Sequence, residues 1–99
     1  MSQELLTVLK QEEIAPNIFE LILKGKMTKE IKNPGQFLHL LVPRADLLLR
    51  RPISICDYDN EAETMTLLYR IEGDGTKSLT DLKENDKIST LGPLGNGFN

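Results

Sequence analysis

Apolar and polar residues alternate along most of this chain with a period of two, which is typical of β-strands that have one buried face. In residues 17–24 (NIFELILK) the apolar positions Phe19, Leu21 and Leu23 share one face, and the opposite face carries charge. Similar patterns predict further strands at residues 4–13, 36–42, 51–57, 64–71 and 87–91.

Two of these strands differ in the polarity of their faces. Residues 64–71 (TMTLLYRI) place Met65 and Tyr69 on a core-facing side and Arg70 on the other. Residues 36–42 (QFLHLLV) are apolar on both faces. We therefore expect this second strand to be buried on both sides.

One short helix is predicted in the second half of the chain. Leu79 and Leu82 stand three residues apart within residues 72–86, and Gly73 and Gly75 come immediately before the helical pattern. Six strands at short spacing with one small helix predict a mainly all-β fold, either a small antiparallel barrel or a sandwich.

Length and composition are those of one soluble globular domain. The chain has 99 residues, of which 39% are hydrophobic and 27% charged. Its net charge of −3 argues against a general nucleic-acid surface, which needs a basic face. No apolar run is long enough to cross a bilayer, and the N-terminus carries acids where a signal peptide needs basic residues, so we expect a cytoplasmic protein with no membrane partner.

The arginines are concentrated in the central part of the sequence. All four lie between residues 44 and 70, at Arg44, Arg50, Arg51 and Arg70. Because the planar guanidinium group suits oxyanions, this distribution indicates a local anionic ligand on an acidic protein.

The stretch RPIS, which begins at Arg51, is the first candidate binding motif. Pro52 restricts Arg51 to an extended conformation, and Ser54 offers a hydroxyl group that can donate or accept. Strand alternation puts Arg51 and Ser54 on opposite faces, so one ligand that touches both must lie along a strand edge or bend round it. The alternative is a strand whose arginines are solvated and whose serine has no role.

Two glycine-rich stretches are further candidates. In residues 73–78 (GDGTKS) glycines precede a helix start, where free backbone N–H groups can hold a phosphate; the alternative is a turn capped by Thr76 or Ser78. Residues 92–98 (GPLGNGF) allow close approach to a ligand or a neighbouring domain, or simply form a loop.

Other reactive side chains give weaker signals. His39 lies among apolar residues with no second histidine, so we expect a packed strand residue. Cys56 is the only cysteine, which excludes an intrachain disulfide or a cysteine cluster, and we expect a buried, unreactive thiol. The acids between Asp57 and Glu63 are expected to form a solvated hairpin loop that could approach a partner protein.

These motifs occur together in one known family. RPIS, then GTKS at a helix start, then GPLG resemble the R-x-Y-S/T, G-x-x-S and G-P-x-G series of ferredoxin reductase-like FAD-binding barrels. The longer strings PGQFLHL, LLRRPISI, LYRIEGDGT and LGPLGNGF resemble the electron transfer subunits of class 1B dihydroorotate dehydrogenases. The resemblance implies that residues 1–99 form a six-stranded antiparallel Greek-key β-barrel with one short helix, acting as an FAD-binding domain.

The resemblance also implies roles for individual residues. Arg51 would pair with the FAD pyrophosphate, and Ser54 would lie by the flavin ring near N5. The usual tyrosine of the motif is Ile53 here, so ring stacking from that position is lost, and Tyr69 is a possible substitute. The remaining cofactor-binding positions implied are Pro52, Ile53, Leu68, Tyr69, Arg70, Gly75 and Thr76. No residue would serve as catalytic acid, base or nucleophile, and none would ligate a metal.

The implied function is electron relay in pyrimidine biosynthesis. Electrons from dihydroorotate would pass from FMN in a partner catalytic subunit through a [2Fe-2S] cluster to FAD and on to NAD+, within an assembly of two catalytic and two electron transfer subunits. Family members continue into a nicotinamide-binding domain and a cysteine cluster, so we expect these 99 residues alone to lack the NAD and [2Fe-2S] sites and to be inactive. The alternatives are a related reductase with a sulfide or glutamate-synthase partner, and a non-enzymatic barrel that serves as a binding module.

Overall fold

A computed structural model describes residues 2–42 and 50–95 of the chain. Arg44 and the last part of GPLGNGF, from residue 96 onward, lie outside the described residues. Within these residues the structure has β1 (Ser2–Ala15), β2 (Ile18–Lys24), β3 (Phe37–Leu41), β4 (Arg50–Asp59), β5 (Thr64–Arg70), α1 (Asp74–Leu79) and β6 (Lys87–Leu94). The six strands appear where the sequence predicts them. The helix lies in the predicted region, but it begins at Asp74, so Gly75 lies within it and not before it, and Leu82 lies beyond its end.

The six strands close into an antiparallel barrel in the order β1-β2-β5-β4-β3-β6. Strands β3, β4 and β5 follow one another as neighbours, and β6 returns across the barrel end to lie beside β3, which is the Greek-key arrangement. The predicted fold class is therefore confirmed. No helix in the described part of the chain is long and apolar enough to span a membrane.

The core fills the barrel interior with the side chains that the period of two predicts. Leu21 and Leu23 from β2 and Met65 and Leu67 from β5 are fully buried. Strand β3 differs from the prediction, because its burial alternates like that of the other strands. A closed barrel has only one interior, so the outward residues of β3, including His39, are half-buried by neighbouring side chains.

A short 3₁₀ helix at Lys26–Glu30 was not predicted from the sequence. It follows β2 and directs Met27 into the core. The Glu4 carboxylate accepts hydrogen bonds from the backbone N–H groups of Lys26 (3.0 Å) and Met27 (2.8 Å), which stabilises the first turn. This contact joins positions 22 and 23 residues apart, so the local sequence does not reveal it.

The GPLG stretch is part of strand β6 as far as Leu94, so its interpretation as a simple loop is wrong there. A Cβ atom on Gly92 would lie 2.9 Å from Leu38 Cδ2, and one on Gly95 would lie 2.9 Å from Phe37 Cε1. Both glycines also have positive φ, at 153° and 83°. Their small size therefore lets β6 and the turn after it pack closely on β3.

Candidate functional site

Strands β4 and β5 pair along only part of their length. Their register runs from Asp59 opposite Thr64 to Ile55 opposite Leu67, with an irregularity between Ile55 and Asp57. Beyond this point β4 continues alongside β3, and β5 continues alongside β2. The sheet therefore forks, and the backbone edges of residues 50–54 and 68–70 face a cleft instead of each other.

The fork holds a cavity of about 230 Å³. Its walls come from β4, β5 and the turn before α1, namely Pro52, Ile53, Ser54, Leu68, Tyr69, Arg70, Glu72 and Thr76. Ser54 and Leu68 are exposed, whereas Ile53 is buried. The cleft thus combines an apolar floor with a hydroxyl group and a cation at its walls.

A second cavity of about 290 Å³ lies at the start of α1. It is lined by Arg51, Pro52, Glu72, Gly73, Gly75 and Thr76. Because Pro52, Glu72 and Thr76 line both cavities, the two adjoin. All nine binding residues predicted from the sequence line one cavity or the other, and Arg51 and Ser54 both do so along the β4 edge that β5 leaves open.

The two adjacent arginines have different environments. The Arg50 guanidinium donates to the His39 carbonyl (3.3 Å), the Ser89 carbonyl (3.2 Å) and the Ser89 hydroxyl (3.0 Å), so it joins β4 to β3 and β6. Arg51 is exposed, and within residues 2–42 and 50–95 its guanidinium has neither a hydrogen bond nor an ion pair. Arg70 is exposed and likewise unpaired over these ranges. The site therefore has two cations available for an anionic ligand.

Gly75 brings α1 against the Arg51 side chain. A Cβ atom at this position would lie 2.6 Å from Arg51 Nε and 3.4 Å from Arg51 Cγ. Gly75 is buried in this contact. The glycine therefore allows the arginine stem to cross the first turn of the helix, and it unites two motifs that the sequence separates by more than twenty residues.

Thr76 and Ser78 shape the turn around this contact. Thr76 Oγ1 accepts from the Glu72 backbone N–H (2.8 Å) and donates to the Gly73 carbonyl (3.3 Å). The buried Ser78 hydroxyl donates to the Gly75 carbonyl (2.7 Å). These side chains stabilise the turn, while the backbone N–H groups of the first helical turn have no acceptor within the helix.

Tyr69 is a core residue at the base of the fork. Its ring stacks on Phe19 with centroids 5.6 Å apart and an interplanar angle of 16°. Its hydroxyl donates to Gln11 Oε1, and burial raises the pKa of the phenol. Because the ring is only 5% exposed, it does not project over the cleft as a cover for a ligand. Leu68 and Pro52 are the apolar side chains of the lining that are exposed.

Some features of the site were missed or misjudged from the sequence. Glu72 lines both cavities but was not predicted to bind, although it adjoins the GDGT stretch. Gly73 belongs to that stretch but was not among the cofactor-binding positions that the resemblance implied. Cys56 is exposed, so its predicted burial is wrong: Ile53 and Ile55 point inward, and alternation turns Cys56 outward. Partial desolvation, followed by the charges of Asp57 and Glu20, raises the pKa of the thiol.

Curated proteins match the chain over almost its whole length. The electron transfer subunit of dihydroorotate dehydrogenase B (NAD(+)) from Enterococcus faecalis is 52% identical over 96 residues, covering 97% of this chain and 36% of that protein. The subunit of the same name from Streptococcus mutans is 56% identical over 96 residues, covering 97% and 37%. The chain is therefore similar to these electron transfer subunits over nearly all of its own residues. It spans little more than a third of the length of these relatives.

The barrel also matches solved structures. The structure of an NADH-dependent reduced ferredoxin-NADP oxidoreductase superposes with a TM-score of 0.83 and 26% sequence identity, covering 97% of this chain and 34% of that chain. No family model matches the chain. Among the described residues, no group of three or more His, Cys, Asp or Glu side chains could hold a metal ion.

Proposed function

We propose that this chain binds FAD in the cleft where β4 and β5 separate. The fork itself carries the proposal, because it opens two strand edges beside a hydroxyl, two unpaired arginines and a glycine-containing helix start. Two similarities favour a flavin as the ligand. One is to the electron transfer subunits, and the other is to the oxidoreductase with a similar barrel, whose structure concerns flavin-based electron bifurcation.

The residues present fit this cofactor. Across the two linings the cations Arg51 and Arg70 outnumber the single acid, Glu72, so the site is suited to a diphosphate. Arg51 with the backbone of Gly75 and Thr76 would hold the diphosphate. The fork walls, formed by residues 52–54 and 68–70, would hold the flavin ring.

We further propose that the chain is the flavin-binding part of an electron transfer subunit that relays electrons from dihydroorotate oxidation to NAD+. The names of the relatives contain both the dehydrogenase and NAD(+). FAD supplies the ability to exchange either one or two electrons, which suits a junction between a one-electron carrier and a hydride acceptor. An FMN-containing catalytic subunit, arranged as two catalytic and two electron transfer subunits, and a [2Fe-2S] cluster complete the proposed relay.

The chain's own residues would bind and tune the cofactor without taking part in proton transfer. The Ser54 hydroxyl is exposed on β4 and can donate or accept a hydrogen bond at the ring. The single cysteine, Cys56, cannot provide a four-cysteine ligand set, so cluster ligands must come from elsewhere. No residue of the cleft needs to act as an acid, base or nucleophile.

Sequence identity, rather than the barrel, favours dihydroorotate as the electron source. Similar barrels occur in a cytochrome P450 reductase from Amycolatopsis and in siderophore-interacting proteins. The matches above 50% identity, however, carry the dihydroorotate dehydrogenase name. No observation favours the non-enzymatic binding module.

The proposal is tested by titrating the purified chain with FAD while following flavin fluorescence and visible absorption. We expect saturable binding of one FAD per chain, with a shift of the flavin absorption bands. A chain that is folded by circular dichroism but gives no saturable change would overturn the proposed binding. The relay is tested with the complete subunit combined with its catalytic partner. NAD+ reduction is then measured with dihydroorotate as the electron source.

A further inference from the structure

Gln11 lies on β1 where this strand has lost its partner β6. The β1–β6 register ends at Thr7 opposite Lys87, whereas β1 continues to Ala15 alongside β2. The segment that contains α1 lies beside this free part of β1. Gln11 is half-buried, and its side chain contacts that segment. The Val8 backbone also bonds to the segment, at Asn85 and Asp86.

The Gln11 carboxamide joins three distant parts of the chain. Its Nε2 donates to the carbonyl oxygens of Leu79 and Leu82, each at 2.9 Å. Its Oε1 accepts from the Tyr69 hydroxyl. Both N–H groups and the oxygen are therefore used, and the contacts reach residues 58 to 71 positions away.

The two ends of α1 have different neighbours. Its C-terminal end is bound by Gln11, and its first turn packs Gly75 against Arg51. A helix of six residues is about 9 Å long and acts as a short rigid rod, so fixing one end restricts the other. Tyr69, which Gln11 also binds, lies on the β5 side of the fork.

We propose that Gln11 is a positioning residue that holds α1 in place relative to β5, so that Arg51 and the first turn of α1 meet the diphosphate part of the cofactor. This inference rests on the proposed FAD binding. Gln11 is absent from the lining of either cavity and acts through α1 and Tyr69. Its loss should therefore weaken contacts to the diphosphate more than contacts to the flavin ring.

The experiment compares FAD with riboflavin, which has the same ring system but no phosphate. We expect Gln11→Leu to weaken FAD binding on the order of tenfold, which is the effect of losing one charge-assisted contact to the diphosphate. Riboflavin binding should change by less than about twofold. Gln3→Leu is the matched control, because Gln3 is an exposed glutamine on the same strand. It should leave both affinities unchanged.

A second variant keeps the test independent of packing defects. Gln11→Glu preserves the volume and the oxygen that accepts from Tyr69, but it replaces the donor to Leu79 and Leu82 with a charged acceptor. We expect the same selective loss of FAD affinity, together with faster amide hydrogen exchange in α1 and unchanged exchange in β3. Hydrogen exchange in α1 is measured without any ligand. It therefore reports only on the hydrogen bonds from Gln11 to Leu79 and Leu82.

The outcomes separate this inference from the proposed function. Selective loss of FAD affinity in both Gln11 variants supports the positioning role. Equal losses for FAD and riboflavin, or no loss, would overturn it while leaving FAD binding established. If the unsubstituted chain binds no FAD, the proposed function fails first, and the inferred role in diphosphate binding fails with it, whatever α1 exchange shows.

Discussion

Gly75 lies so close to Arg51 that a Cβ atom on the glycine would stand 2.6 Å from the arginine Nε. This contact links the first turn of α1 to the edge of β4, and it sets the direction in which the arginine stem leaves the strand. Gly73, two residues earlier, has no atom within 4 Å of the corresponding Cβ position and an extended backbone. The two glycines therefore form a natural pair for testing the contact.

Gly75→Ala is expected to weaken FAD binding without unfolding the barrel. The added methyl group would push the flexible Arg51 side chain away from its present position, which relieves the steric clash. The barrel should stay folded, because alanine is favoured over glycine within a helix by about 1 kcal/mol. Thermal unfolding and FAD titration measure the two effects. Gly73 also lines the cavity, but its Cβ position is clear of Arg51, so Gly73→Ala should lose less FAD affinity than Gly75→Ala. An equal loss in both variants would contradict a specific role for the Gly75 contact.

Arg51→Ala is expected to lower FAD affinity by roughly 10- to 100-fold, the effect of removing a hydrogen bond to a charged group worth ~1.5–3 kcal/mol. Because Arg51 has no partner among the described residues, the free energy of unfolding should change little. FAD titration measures the affinity, and chemical denaturation of the same preparation measures the free energy of unfolding.

Arg50→Ala is the control for Arg51 and should give the opposite result. It removes the hydrogen bonds to His39 and Ser89, so we expect the barrel to lose about 1–3 kcal/mol of stability. FAD affinity should change much less than in Arg51→Ala. If Arg50→Ala is the variant that loses affinity, the assignment of the two arginines is wrong.

The strands and the barrel could be predicted from the sequence because a period of two is a local property. Residues such as Leu21 and Leu67 reveal their inward direction by their immediate neighbours. The difference between Arg50 and Arg51 is not local, since it depends on Ser89 from another strand. The role of Gln11 is equally hidden, because its partners lie 58 to 71 residues away.

Tyr69 should make the stability of the barrel sensitive to alkaline pH. Burial raises the pKa of its phenol above the ordinary value of 10.0, so the folded chain holds this proton more tightly than the unfolded chain. Its contribution is therefore fully present below about pH 10 and is lost as the pH rises toward the folded-state pKa. The free energy of unfolding of Tyr69→Phe should therefore fall less steeply over this pH range. Chemical denaturation at a series of pH values measures it.

Tyr58→Phe is the control for this pH dependence. The Tyr58 hydroxyl donates to the Lys32 carbonyl at 3.2 Å, but the substitution leaves Tyr69 in place. The free energy of unfolding of Tyr58→Phe should fall at alkaline pH as steeply as that of the unsubstituted chain. Identical alkaline curves for Tyr69→Phe and the unsubstituted chain would show that the phenol is not the group responsible.

Cys56 combines an exposed position with a raised thiol pKa, and these two properties make opposite contributions to its reactivity. Exposure permits reaction with a disulfide reagent, but the raised pKa lowers the fraction of the reactive thiolate at neutral pH. We therefore expect complete modification at a rate below that of a small free thiol. Asp57→Asn removes a nearby negative charge and should raise the rate on the order of two- to threefold, as a surface charge interaction of ~0.5 kcal/mol allows.

Asp59→Asn serves as the comparison, since Asp59 lies further along β4 and does not contribute to the shift of the Cys56 pKa. Its carboxylate accepts from the backbone N–H groups of Glu61 and Ala62 at the hairpin. The reaction rate with this variant should match that of the unsubstituted chain. Desolvation is the largest cause of the raised pKa, and the charges of Asp57 and Glu20 follow. A rate that does not respond to Asp57→Asn would exclude Asp57 as a cause and leave desolvation and the Glu20 charge.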